Sequence, residues 1–147
     1  MPEQETLARA RRDKRQGKAP STQAGEFVRE EMHHVREGKH GARSTKQAIA
    51  IGLSKARRAG VKLQPPRKGS AKTRQSAERA YEQGQSSSKQ RPARKRSRAT
   101  RSALQREPRS AASHQALSRQ ARSSARRRTA ADRSAAARKA ARTRAKR

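Results

Sequence analysis

The chain has 147 residues and a formal net charge of +30, with 41 Lys/Arg against 11 Asp/Glu, one Phe, one Tyr, no Trp and no Cys. So few large apolar side chains exclude an extensive core, because burying each yields only about 1.5–3 kcal/mol against a backbone ordering cost of about 1–2 kcal/mol per residue. The lack of Cys excludes disulfides and cysteine zinc sites, and no stretch approaches the roughly 18 apolar residues of a membrane span.

Residues 1–20 read as a charged N-terminal arm. Glu3 and Glu5 precede a run of Arg and Lys, an order that suits a helix dipole. The arm is expected to form a frayed helix ending near Gly17, with Pro20 closing the segment. It has early acids and no apolar stretch, so it does not read as a secretory signal.

Residues 21–64 carry the one sustained helical pattern. Ser21 or Thr22 is placed to cap a first helix. Ala24, Phe27, Val28, Met32 and Val35 follow at helical spacing. Gly38 is placed to close that helix in a left-handed conformation. Ser44 and Gln47 stand three apart, the spacing of a capping box, and open a second helix. Its apolar stripe is Ile49, Leu53 and Ala56, with Ala48 and Gly52 beside it as small residues suited to close contact. The helix stops near Gly60, Val61 and Leu63 fold back over an end, and Pro65-Pro66 ends the module. The two stripes predict a helical hairpin with Phe27, Val28, Ile49 and Leu53 on the shared face. A unit this small is marginal alone, which predicts a protein partner or self-association through the hairpin.

Residues 65–84 read as a linker with a short helix around residues 71–83. Residues 85–147 form a low-complexity Arg/Ala/Ser tail with 21 Lys/Arg against two acids, a net of +19. Alanine favours helix, but like charges on one helix repel. The predicted fold is therefore mainly α: a small helical hairpin with a long disordered or transiently helical basic tail.

The charge predicts a polyanionic partner. Arg grips phosphate oxygens bidentately, and each neutralised phosphate releases counterions. The tail candidates are Arg94, Lys95, Arg96, Arg98, Arg101, Arg126, Arg127, Arg128, Arg138, Lys139, Arg142 and Arg144. The hairpin adds Lys39, His40, Arg43, Lys46, Lys55, Arg57 and Arg58. Such contacts carry no sequence information by themselves. A groove-reading helix-turn-helix is disfavoured because a third helix is missing from a two-helix unit. DNA is favoured over RNA, since single-strand binders stack bases on several aromatic rings. Arginine-rich RNA or ribosome binding, and an adaptor whose hairpin holds a protein, remain the alternatives. A membrane surface is disfavoured because the tail offers only Leu104 and Leu117 as large apolar residues.

His33, His34 and His40 lie near Glu30 and Glu31, and Glu30 and His34 are four apart. The pattern of two His four apart around a Glu is absent, so no metal is expected. No P-loop, dinucleotide fingerprint or catalytic constellation occurs, so neither an enzyme nor a small-molecule substrate nor a cofactor is expected. The expected setting is the cytoplasm, on the nucleoid.

The run Gly38-Lys39-His40-Gly41, followed by Ser44-Thr45-Lys46-Gln47-Ala48-Ile49-Ala50-Ile51-Gly52-Leu53-Ser54-Lys55-Ala56-Arg57, resembles a family of small basic bacterial proteins of uncharacterised function. The resemblance covers residues 26–63 and implies no activity. The tail resembles bacterial histone-like linker proteins in composition only.

Overall fold

The computed structural model describes residues 1–87 and 93–146; residues 88–92 and Arg147 of the expected tail lie outside the described residues. Among the described residues there are seven α-helices, one 3-10 turn and no strand. The chain divides into two compact units, Met1–Ser113 and His114–Arg147.

The first unit begins with α1 (Gln4–Arg15), whose acid-first, base-last order matches the helix dipole. It ends near Gly17, as its sequence suggests. Helix α2 (Pro20–Glu37) starts one residue before the predicted caps, with Pro20 in its first turn and no side-chain cap. Proline opens a helix as readily as it closes a segment, because the first N–H has no intrahelical partner to lose. The end of α2 follows the prediction. Gly38 is left-handed at φ 77°, Gly38 N–H donates to Val35 O, and Lys39 N–H donates to His34 O at 3.0 Å. This closure turns Lys39 and His40 back toward α2.

Helix α3 (Thr45–Arg58) is capped by Ser44, whose Oγ accepts from Gln47 N–H at 3.2 Å. The Gln47 side chain reaches back to accept from Arg43 N–H at 2.7 Å. Helix α4 (Ala71–Gln85) is capped by Ser70 and packs on α3 through the buried Ala77 and Ala80. Helix α5 (Arg94–Gln105) buries nothing. A 3-10 turn at Ser110–Ala112 then buries Ala111 and Ala112 against α2 and α3.

The hairpin is therefore not a free-standing pair. Helix α1 lies on α2 and α4 lies on α3. The core draws Ala10 from α1, Ala24 and Phe27 from α2, Ala56 from α3, and Val61, with Leu7, Leu53 and Leu63 packed at its edge. The seam between α2 and α3 is rotated from the expected one. It runs along the buried Ala48, Gly52 and Ala56, while Ile49 and Leu53 are half-buried. The reason is distance. A Cβ on Gly52 would lie 2.7 Å from Val28 Cα and 3.1 Å from Phe27 O, so the two backbones nearly touch.

The second unit comprises α6 (His114–Arg126) and α7 (Ala130–Ala145), neither of which buries a residue. The long disordered or transiently helical tail expected from composition is thus corrected. Its described residues are largely helical, in α5, α6 and α7. Local terms account for α7. Half of its residues are alanine, the best helix former. Thr129 and Asp132 close a full capping box, with Thr129 Oγ1 accepting from Asp132 N–H and Asp132 Oδ2 accepting from Thr129 N–H. The Arg and Lys side chains project into solvent, where screening weakens their repulsion.

Replacing Gly52 with leucine should force α2 and α3 apart and lower stability by about 1–3 kcal/mol, as overpacking does. Leucine at the exposed Ala50 should change stability by less than about 0.5 kcal/mol. Thermal melts followed by circular dichroism compare the two; equal melting temperatures would refute a Gly52 seam.

Candidate nucleic-acid interface

Each acid of residues 1–64 is held in an ion pair, and several face the protein interior. Asp13 is buried against Lys18 Nζ at 2.6 Å. Glu26 ties α2 to α1 through Arg9 Nε at 2.6 Å, and Glu5 pairs with the same guanidinium. Glu3 holds His34 at 2.8 Å and Lys39 at 3.1 Å, and Glu37 also pairs with Lys39. The His34 and Lys39 contacts lower the Glu3 carboxyl to about 2, chiefly through the His34 hydrogen bond. Glu30 accepts from Glu3 N–H at 3.0 Å and lies 3.4 Å from Lys55 Nζ.

Glu31 is the most enclosed of these acids, with its side chain fully buried. Lys55 Nζ lies 2.7 Å from its Oε2 and His40 Nε2 lies 3.3 Å from its Oε1. Neither oxygen receives a well-directed hydrogen bond. His40 in turn contacts Gly41 O through Nδ1 at 3.0 Å.

The hairpin candidates therefore separate. His40, Lys55 and Arg57 point inward. Arg57 is 7% exposed, donates Nε–H to Leu63 O and Nη2–H to Gln64 O, and has its pKa lowered by desolvation. These three make contacts within the fold at the α3 end and the turn. Lys39 is half-exposed but engaged by Glu3 and Glu37. Arg43, Lys46 and Arg58 are exposed, with Lys46 and Arg58 on the outer stripe of α3.

Every tail candidate is exposed. In the first unit, Arg94, Arg98 and Arg101 of α5 recur at four- and three-residue spacing, with Lys95 and Arg96 beside them. A helix rises about 1.5 Å per residue, so cations on such a stripe stand about 4.5–6 Å apart along the axis. In the second unit, Arg119, Arg122 and Arg126 make a like stripe on α6. Together with Ser123 and Arg127 they line a shallow groove. Arg128 continues from that end, and Arg138, Lys139, Arg142 and Arg144 project from α7. Arg119 and Arg122 were not among the sequence candidates. Their three-residue spacing signals a common face only once the segment is read as helix.

Residues 104–112 cover the turn between α2 and α3. Gly41 N–H donates to Leu104 O at 2.8 Å and Ala42 N–H to Pro108 O at 3.0 Å. Arg36 Nε–H donates to Ala112 O, and the buried Thr45 Oγ1–H donates to Ala111 O at 2.6 Å. The covering segment comes so near that a Cβ on Gly41 would lie 1.8 Å from Glu107 O. Composition offers no sign of this docking.

Residues 15–69 match the model of a family of unknown function, DUF6496. No curated protein and no solved structure matches the chain. The matched span holds all of α2 and α3 together with the covered turn, and it excludes the basic helices α5, α6 and α7. Among the described residues no helix is long and apolar enough to cross a membrane.

Gly41→Ala should release residues 104–112 from the turn. Trypsin should then cleave after Arg106 and Arg109 faster by on the order of tenfold, equivalent to about 1.4 kcal/mol of local stability. Mass-resolved limited proteolysis measures this; unchanged cleavage would show that the covering segment is not held at Gly41.

Proposed function

We propose that the protein is a non-catalytic, sequence-nonspecific DNA-binding protein of the nucleoid-associated type, acting in the cytoplasm on the nucleoid. The observation that carries this reading is the division of charge. The acids of residues 1–64 are consumed in ion pairs within the fold, while the Arg and Lys of α5, α6 and α7 are exposed along helix faces. A surface so divided presents cations to phosphates with few acids to oppose them. Arg94, Arg98, Arg101, Arg126, Arg127, Arg128, Arg138 and Arg142 supply the phosphate contacts, each releasing counterions.

Two further observations favour duplex DNA and nonspecific contact. Phe27 is fully buried, which leaves Tyr81 as the one other aromatic ring, fewer than a base-stacking surface uses. A recognition helix reads bases with its N-terminal residues, yet the N-terminal residue of α3, Thr45, is buried and bonded to Ala111 O. The adaptor alternative finds less support, because Met1 is the one large apolar residue fully exposed among the described residues.

Log affinity for duplex DNA against log salt should fall with a slope of about −5 to −9 if roughly 6–10 cations meet phosphates. Changing Arg126, Arg127 and Arg128 together to Gln should make the slope shallower by about 2–3, since each lost phosphate contact removes about one. Scrambled duplexes of equal length should bind within a few-fold of one another. Fluorescence anisotropy across salt concentrations tests all three; a shallow slope with a strong preference for one sequence would refute the reading. Release from lysate by RNase but not DNase would move the assignment to RNA.

A further inference from the structure

Glu31, His34 and His40 form a cluster that the charge division does not explain. Each offers one ligand atom, and the three atoms lie within 4.8 Å of one another. Glu31 and His34 share α2 by sequence spacing, but His40 arrives because the closure at Gly38 folds the turn back. Glu30, four residues before His34, is directed to Glu3 N–H and Lys55 instead.

Hydrogen bonding sets the state of both rings. A backbone carbonyl only accepts, so the contact of His40 Nδ1 with Gly41 O places the proton on Nδ1. The Nε2 lone pair of neutral His40 then faces the Glu31 Oε1 carboxylate at 3.3 Å. Two acceptors in that position repel unless a cation lies between them. His34 Nε2 is likewise fixed as donor by the Glu3 carboxylate at 2.8 Å, which leaves Nδ1 of the neutral ring to coordinate. Metal-binding histidines are commonly held in this way, the second ring nitrogen donating to a carbonyl or carboxylate.

The charge count agrees. Glu30 and Glu31 are both buried, and Lys55 is the one ammonium placed between them. One ammonium serves both carboxylates, and it approaches Glu31 from the Oε2 side. Buried charge without compensation is costly, which a bound divalent cation would relieve. Lys55 approaches Oε2 of Glu31 and leaves Oε1 for coordination.

We propose that Glu31, His34 and His40 bind a divalent transition-metal ion, with Zn2+ the best match to two imidazoles and one carboxylate. Zinc bonds of about 2.0–2.2 Å place neighbouring ligand atoms of a tetrahedron about 3.3–3.5 Å apart. The His40–Glu31 separation of 3.3 Å already meets that distance, and His34 offers a ring nitrogen within 4.8 Å of the other two ligand atoms. His34 and His40 are largely but not wholly covered, with side chains 12% and 15% exposed, so an ion can enter and a water can complete the shell. The bound ion staples the turn to α2, a role that suits a chain with so small a core.

The test uses the full-length protein, freed of nucleic acid and metal. Titration with Zn2+ by calorimetry should show one tight equivalent per chain, and the melting temperature should rise with saturation. His40→Ala should weaken binding at least about tenfold. The exposed neighbour His33, changed to Ala, should leave it unaffected. Co2+ in place of Zn2+ should give a visible d–d band that saturates at one equivalent. Absence of one-equivalent binding by both ions in the wild-type protein overturns the proposal, whatever the variants do. Equal loss in His33→Ala and His40→Ala, with helicity retained in both, also overturns it. If His40→Ala loses its helicity, the wild-type Co2+ band decides: a saturating band supports the site and none refutes it.

Discussion

The near-contact of two backbones at Gly52 sets the geometry of the first unit. A chain with one Phe and one Tyr cannot hold its helices apart with large side chains and fill the space between them. Helices α2 and α3 instead meet along Ala48, Gly52 and Ala56, where dispersion between closely apposed backbones takes the place of side-chain volume. Phe27 is the largest fully buried side chain among the described residues and sits in the core with Ala24 and Val61. Once the seam turns toward small residues, the outer flanks of both helices must be covered by something else. Helices α1 and α4 do so from opposite ends of the sequence segment.

That same proximity governs the electrostatics. Bringing α3 close to α2 places Lys55 within reach of both Glu30 and Glu31, so one ammonium serves two buried carboxylates. Acids on α1 and α2 are then used up joining elements, as Arg9 does with Glu26 and Lys39 with Glu3. Pairs near the surface, such as Lys39 with Glu3, contribute little stability each because water screens them. Their larger consequence is for the surface, which is left with an excess of cations. Folding therefore sharpens a charge separation that the sequence shows only as an overall surplus.

Much of the first unit was legible because its signals are local. Gly38, Ser44 with Gln47, and Gly60 act within one helical turn of themselves, and each stands at or beside the boundary it marks. The small residues Ala48 and Gly52 were readable as contact positions, although the larger Ile49 and Leu53 drew the predicted stripe toward themselves. Of the candidate site, the exposed tail cations were legible from composition alone. The inward turn of His40, Lys55 and Arg57 was not legible, because a cation near a turn looks the same in sequence whether it faces solvent or the fold. The described tail differs from expectation for another reason. Charge repulsion opposes helix there while alanine propensity and the Thr129–Asp132 cap favour it, and solvent screens the former but leaves the latter intact.

By itself the sequence determined the helical class, the position of the α2–α3 turn and the excess of exposed arginine, since these follow from propensity, capping and charge count. Only the tertiary structure decided which cations turn inward, which acid His40 meets, and that residues 104–112 lie across the turn. Those outcomes depend on contacts between residues far apart in sequence, such as Thr45 with Ala111, 66 residues on. No periodicity or spacing encodes such a pair. It exists because Gly41 lets another segment of backbone come within hydrogen-bonding distance, and the resulting bonds to Leu104 and Pro108 satisfy amides that the turn would otherwise leave unpaired.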